Sequence, residues 1–361
     1  MNSLIQSIAS VPFFQTAGFG ISALVVVGSS WSLTGLVMGD APKKGVNPGL
    51  VQLLSALVAT IVSVAVVFGA DLVPRCSAKV LFLTCGTYAM AGAINYVMLQ
   101  IMSYAMQRGP NGIIWTIIQS ALIFPFLGGV VFFHVRLNAF RISGILLLLA
   151  ALVLFGFGKD NSPRSGGGNW KIAAFICLAL CAVQQNLTTA PSYFVEARAV
   201  NSVVRSLSNA AGILFAAVLE LGIRMNGNLR TQIWRNLKSA ALWKYVCALQ
   251  FFGLVFAYTL FYPGMNAMAD AGLGGMCFPV LVGSCIVAFM LASVCFLKER
   301  LCPLHLAALA ICISGLVFIC FSLRRKRALP VRVRNPGAHF FAEMFREESG
   351  NPVHPAGPNL W

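Results

Sequence analysis

Apolar runs of about 20 residues, almost free of charge and each closed by a short polar break, recur along nearly the whole chain. An α-helix rises ~1.5 Å per residue, so each run is long enough to cross the ~30 Å hydrocarbon core of a bilayer. The runs lie near 18–38, 49–70, 80–105, 111–133, 139–157, 171–193, 203–222, 243–264, 273–297 and 303–323. Asp40, Pro42, Lys43 and Lys44 break the first pair, Asp71, Pro74 and Arg75 the second, and Arg108, Gly109 and Pro110 the third. Only 10% of the 361 residues are charged and 58% are hydrophobic. Soluble domains carry about 25% charged residues, and surface-to-volume scaling denies a chain of this size so little wetted surface. The expectation is an all-α integral membrane protein with ten transmembrane helices.

The organisation expected from these breaks is an N-terminal segment 1–17, five spans in 18–157, a Gly- and Ser-rich linker 158–170, five spans in 171–323, and a flexible basic tail 324–361. The two sets of five resemble each other. Cys85, Tyr96, Ala105 and Met106 are matched 162 positions later by Cys247, Tyr258, Ala267 and Met268. Gly109 and Gly112 meet Gly272 and Gly275 at 163, and Phe132, Arg136, Leu137, Leu152 and Val153 meet Phe296, Arg300, Leu301, Leu316 and Val317 at 164. Five is odd, so the second half enters the membrane from the opposite side. Two inverted five-helix repeats are the framework of alternating-access carriers.

The net charge of +16 does not signal nucleic acid as a partner. The basic residues lie in loops and tail, where they hold helix ends at anionic headgroups; membrane lipids are the expected partners, beside a small-molecule solute. The chain is expected in the cell membrane (the inner membrane if bacterial), as a monomer or homodimer. Lys and Arg divide 13 against 13 between the two faces, so charge does not orient it, but an even number of spans puts both termini on one side. The arginine-dense 324–327 segment favours the cytoplasm for that side. Asn226–Lys244, with Trp234 and Trp243 among basic residues, is expected as an interfacial helix. The cysteines fall in apolar runs as small hydrophobes, with no metal site and no cofactor expected.

Polar side chains inside apolar runs mark helix contacts or a cavity. The candidates for a substrate cavity are Trp31 in the first span, Asn95 in the third, Trp115 and Gln119 one turn apart in the fourth, Gln184, Gln185 and Asn186 in the sixth, and Gln250 and Tyr258 in the eighth. Indole rings beside amides suit a small, mostly neutral polar solute, sugar- or amino-acid-like: apolar area grips its body and amides orient its hydroxyls. Each residue has a second reading as an interhelical hydrogen bond. Pro125 and Pro279, inside spans, and Gly274 with Gly275 are hinge candidates for gating. No carboxylate sits mid-span; Glu220, one turn inside, is the weak coupling candidate. Arg108 and Arg205 flank spans and could meet an anion, but snorkelling anchors explain them more simply.

No catalytic constellation accompanies these features, since His134 and His305 lack partners by sequence, and there is no GxxxxGK[ST] loop for ATP-driven work. Export of amphipathic drugs and a non-transporting membrane scaffold remain the competing functions.

The ninth span ends in Phe296-Leu297-Lys298-Glu299-Arg300-Leu301, and the tenth runs from Pro303 through Gly315-Leu316-Val317. An acidic-Arg-Leu turn followed by a final helix with Gly and aliphatics resembles the end of each repeat in the drug/metabolite transporter superfamily, the EamA-like ten-helix carriers. In the first half the turn reads His134-Val135-Arg136-Leu137, without its acidic member. The resemblance spans roughly 18–323 and implies a compact ten-helix carrier with a central cavity and alternating access. Ile94-Asn95-Tyr96 and the basic 223–244 connection are similar to the bacterial sugar–proton symporter branch, such as the rhamnose carrier, which implies proton coupling.

Overall fold

The computed structural model describes residues 16–109, 111–133, 138–157, 169–297 and 303–321. Every regular element among them is helical: α1 Ala17–Asp40, α2 Pro48–Gly69, α3 Ala78–Met106, α4 Asn111–Gln119, α5 Ile123–Val131, α6 Ala139–Phe157, α7 Trp170–Thr189, α8 Ser202–Ile223, α9 Gly227–Leu237, α10 Ala240–Phe256, α11 Tyr262–Asp270, α12 Cys277–Leu297 and α13 Pro303–Phe321. The expected tail 324–361, most of the linker, and the two turns 134–137 and 298–302 lie outside the described residues.

Helix starts follow from side-chain caps. The first N–H groups of a helix have no internal partner, and a bilayer offers no water to replace one. Asn47 Oδ1 accepts from the amides of Gly49 (2.8 Å) and Leu50 (3.3 Å), while Pro48 fills the first position, which needs no N–H. Ser77 caps α3 through Val80 N, Asn201 caps α8 through Val204 N, and Asn226 caps α9 through Leu229 N.

Six helical segments among the described residues are long and apolar enough to cross a membrane: Ala17–Lys44, Pro48–Gly69, Ala78–Met106, Trp170–Tyr193, Ser202–Ile223 and Ala240–Asp270. Four more are apolar but shorter, Ile117–Val131, Ala139–Leu154, Gly274–Phe289 and Leu306–Ile319. Large apolar side chains face outward along these helices, with Phe82 77% and Phe68 74% exposed and Phe215, Phe251, Ile223 and Ile61 also bare. An apolar exterior on this scale is stable only against lipid. This is a multi-pass, all-α membrane protein.

Inside, α3 packs between α7 and α8, α8 also lies along α2, α1 lies along α12, and α6 along α13. Lipid tails are as apolar as leucine, so helices associate by close packing, which small residues permit. A Cβ on Gly92 or Gly212 would collide with the carbonyl of Asn209 or Ala89 across the α3–α8 contact, and one on Gly28 with the Leu281 carbonyl across α1–α12. Two apolar cores fill the bundle. One gathers Leu24, Leu148, Met265, Phe278 and Leu281; the other gathers Met38, Leu50, Met102, Ile118, Cys177 and Leu242.

The prolines act differently from expectation. Pro125 lies just after a break in the helix: the turn Ser120–Leu122 between α4 and α5 tightens to a 3₁₀ helix just where the missing Pro125 N–H leaves the ladder short. Pro279 is no mid-helix kink. It stands in the first turn of α12, just after the 3₁₀ turn Gly274–Met276, where no α-helical bond is lost. The break in the eighth expected span comes from Pro263. Immediately before it, Ala257–Phe261 forms a π-helical segment joining α10 to α11, the kind of local widening that relieves a proline clash.

Gly92→Ala or Gly212→Ala is expected to destabilise the protein by about 1–3 kcal/mol, because overpacking forces backbones apart. Gly86 on the same helix α3 has nothing within 4 Å of an added Cβ, so Gly86→Ala is expected to be neutral or mildly stabilising. Thermal unfolding in detergent compares the three; equal midpoints would refute the close-contact account.

Candidate functional site

Two of the expected cavity residues come together along α1. Trp31 meets Phe261 of the π segment at 5.4 Å between ring centroids and Phe278 of α12 at 6.2 Å. One turn further on, Gly35 leaves room for Trp115 of α4: a Cβ there would lie 3.0 Å from the indole ring. Trp115 stacks on Phe289 at 5.7 Å and 21°. Residues 31 and 35 share a helix face, so the two indoles line one stripe of α1. Among the described residues the buried Trp115 Nε1 donor has no partner, a group available to a polar ligand. Gln119, one turn along α4, is also buried.

The amides of α7 are turned to their own helix instead. Gln184 Nε2 donates to Thr188 Oγ1, Gln185 Nε2 to Cys181 Sγ, and Asn186 Nδ2 to the Ala182 carbonyl. Gln185 Oε1 stays buried and unpartnered. Asn186 Oδ1 packs against Gly128 of α5, so this residue also sets a helix contact. Tyr258, in the π segment, shares a 2.6 Å hydrogen bond with Ser63 of α2. Asn95 and Gln250 are half-buried. Gly274 and Gly275 mark a close approach: Gly274 accommodates the Tyr193 ring, and a Cβ on Gly129 of α5 would lie 2.8 Å from Gly275 Cα. An open pocket of about 280 Å³ lies between the ends of α1 and α3, lined by Met38, Gly39, Pro42, Lys43, Ser103, Met106 and Gln107, none of them an expected cavity residue.

Polar contacts tie together the end of the bundle where α1 and α3 finish. Tyr245 donates to Asp40 at 2.6 Å, Asp40 pairs with Lys44 at 2.7 Å, and the Lys44 ammonium stands 5.6 Å from the Tyr245 ring centre. Asn236 of α9 accepts from Asn47 N at 2.7 Å and donates to the Gly45 carbonyl at 3.2 Å, which fastens α9 to the α1–α2 turn. Glu220, the expected coupling residue, is held from two sides: the Tyr96 hydroxyl donates to Oε2, and Arg224 Nη1 sits 3.0 Å from Oε1. Gln100 Nε2 is buried nearby, 3.5 Å from where a Gly49 Cβ would stand, and has no partner among the described residues.

The opposite end is closed by two arginines. Arg198 donates through Nε and Nη2 to the Ser192 carbonyl and pairs through Nη1 with Asp270 of α11. Arg205 corrects the expectation of a snorkelling anchor, because it is only 1% exposed. Its Nε donates to the Val200 carbonyl (2.8 Å), Nη1 to Asn266 Oδ1 (3.1 Å) and Nη2 to the Ala197 carbonyl (3.0 Å). The rings of Tyr88 and Tyr262 lie 5.9 and 6.0 Å from its guanidinium carbon. A signal for this burial was present in the sequence. Arg205 shares a helical face with Ser208 and Gly212, the small-residue stripe that meets α3, while Phe215, Val218 and Leu219 take the lipid side.

No protein-family model matches this chain, and no curated protein matches it in sequence. One solved structure, described only as the crystal structure of a protein, is similar over 85% of this chain and 99% of its own length, with a TM-score of 0.60 and 17% identity. At that identity the likeness is one of fold alone.

Removing the hydroxyl that binds a carboxylate should cost more than removing one that binds another hydroxyl, because hydrogen bonds to charged groups contribute about 1.5–3 kcal/mol against about 1 for neutral ones. Tyr96→Phe is therefore expected to lower the unfolding midpoint more than Tyr258→Phe. The reverse order, measured in one detergent, would remove the Tyr96–Glu220 contact from the account of this end.

Proposed function

We propose that this chain is a secondary carrier that moves a small polar solute across the membrane by alternating access. The carrying observation is a pair of polar closures at opposite ends of the bundle. Arg205 and Glu220 stand at the two ends of α8, about 22 Å apart at the helical rise. Elsewhere in the bundle Trp31 packs against Phe261 and Phe278, and Trp115 against Phe289. A pathway gated at each end, with aromatic rings to grip a solute, has these parts.

On this reading the four shorter apolar helices are spans as well, giving ten in two inverted halves, as in the drug/metabolite transporter superfamily and its EamA-like carriers. Exchange of such halves pairs the second span with the seventh and the fifth with the tenth; α2 does pack on α8, and α6 on α13. The α6–α13 contact is reciprocal: a Cβ on Gly144 or Gly315 would lie 2.8 Å from the other's carbonyl oxygen. The α1–α12 packing has its counterpart in α7 against α4 and α5, and α3–α7 has its counterpart in α11 against α1. Glu220 is the group through which a proton would be coupled, with Tyr96 as its hydrogen-bond partner. The aromatic lining also favours a second reading, export of amphipathic compounds.

Purified protein in liposomes, offered sugars, amino acids and organic acids in turn, is expected to take up one class saturably. Trp115→Ala is expected to reduce that uptake roughly tenfold while the protein stays folded, since a lost aromatic contact is worth about 1–1.5 kcal/mol. Folded protein that moves none of these solutes, but lowers drug accumulation in expressing cells, would replace the metabolite carrier with the exporter. Inactivity in both assays would leave the scaffold.

A further inference from the structure

The Arg205 closure holds more hydrogen-bond donors than acceptors. A guanidinium has five N–H groups, and the bonds described above use one each at Nε, Nη1 and Nη2, leaving two. No carboxylate among the described residues pairs with Arg205; Asp40, Asp71, Glu220 and Asp270 are engaged with Lys44, Arg75, Arg224 and Arg198, and Glu196, beside Ala197, is exposed. Tyr88 and Ser192, both 0% exposed, flank it, and among the described residues neither hydroxyl meets a partner at full hydrogen-bond geometry. The Tyr88 hydroxyl faces both Ser192 and Arg205. Three buried polar groups that can all donate thus converge, and among the described residues no carboxylate pairs with the charge among them. Buried charges of this kind mark solute pathways in membrane proteins.

We propose that Arg205, Tyr88 and Ser192 form the receptor for the acidic group, a carboxylate or a phosphate, of the transported solute. The assignment rests on the carrier reading and changes its cargo from neutral to anionic. The guanidinium fork matches the paired oxygens of either group, and the two hydroxyls supply the remaining donors. Binding is tied to opening. Arg205 holds the turn between α7 and α8 closed through the Ala197 and Val200 carbonyls, and an anion that takes those N–H groups releases the turn. The Arg198–Asp270 pair and the bond from Asn201 Nδ2 to the Leu72 carbonyl still fasten that segment to the bundle.

The test is thermal unfolding of the full chain in phosphatidylcholine nanodiscs, at constant ionic strength, with inorganic phosphate, succinate or uncharged sorbitol. Phosphate or succinate is expected to raise the midpoint saturably, and sorbitol is not. Tyr88→Phe and Ser192→Ala remove hydroxyls that have only weak contacts with each other and with Arg205 in the free protein, so both variants should fold nearly as the parent does. Each is expected to need about tenfold more anion for half the effect. Wild-type half-saturation in both variants, or no saturable effect of either anion on the parent, would overturn the site. Stabilisation by added phosphatidylglycerol but by neither soluble anion would assign the donors to a lipid headgroup and overturn it too. Liposome uptake separates the two readings. Saturable sorbitol or sugar uptake unaffected by Tyr88→Phe sinks the anion site but keeps the carrier; Tyr88-dependent anion binding without flux of any solute keeps the site and sinks the carrier.

Discussion

Backbone pressed against backbone is the contact on which this bundle depends. Water drives soluble helices together, but lipid does not, so association rests on how near the helix axes can come. At Gly28, Gly92, Gly212, Gly144 and Gly315 a neighbouring carbonyl occupies the space a side chain would need. Those five positions join α1 to α12, α3 to α8 and α6 to α13, three of the longest contacts in the fold. The aromatic side chains are arranged around these joins. Trp115 reaches the interior because Gly35 stands aside, and the α1–α12 contact that Gly28 allows brings Trp31 to Phe278.

Close packing also decides which polar groups are tolerated. A cation moved from water into a protein interior loses several kcal/mol of hydration even after relaxation, and neutral partners return only part of that. Arg205 is met by two carbonyls, an amide oxygen and two tyrosine faces, each a modest attraction, without a carboxylate among the described residues. Glu220 is in the easier position: it is less deeply set and has both a cation and a hydroxyl donor. The two ends of α8 are therefore unequal. One is compensated and the other is short of negative charge.

The membrane class and helix positions were legible because apolar length is a local property, read without knowing the tertiary structure. Apart from α9, the helices from α1 to α13 fall on the expected runs, and the basic stretch after Arg224 contains α9. Cavity lining was harder to read, because an amide looks the same whether it faces a ligand or its own backbone. Gln184, Gln185 and Asn186 turned to their own helix, and Trp31 and Trp115 turned inward. Arg205 was misread for a related reason: position near a span end suggested lipid headgroups, whereas the small-residue face it shares with Gly212 determines its direction. Pro263 was missed because the eighth run was ended one residue after it. The helix instead continues to Asp270.

The π segment Ala257–Phe261 has a geometric effect on everything after it. It accommodates about one residue more than an α-helix of the same rise, which advances the phase of the following turns by roughly 100°. One continuous rod thereby carries two unrelated stripes. Before the segment, Phe251 and Phe252 look out to the acyl chains; after it, Tyr262, Met265 and Met268 look into the core. Length and heading are thus independent in this helix, and losing one residue there would shorten it little but swing its whole second half around the axis.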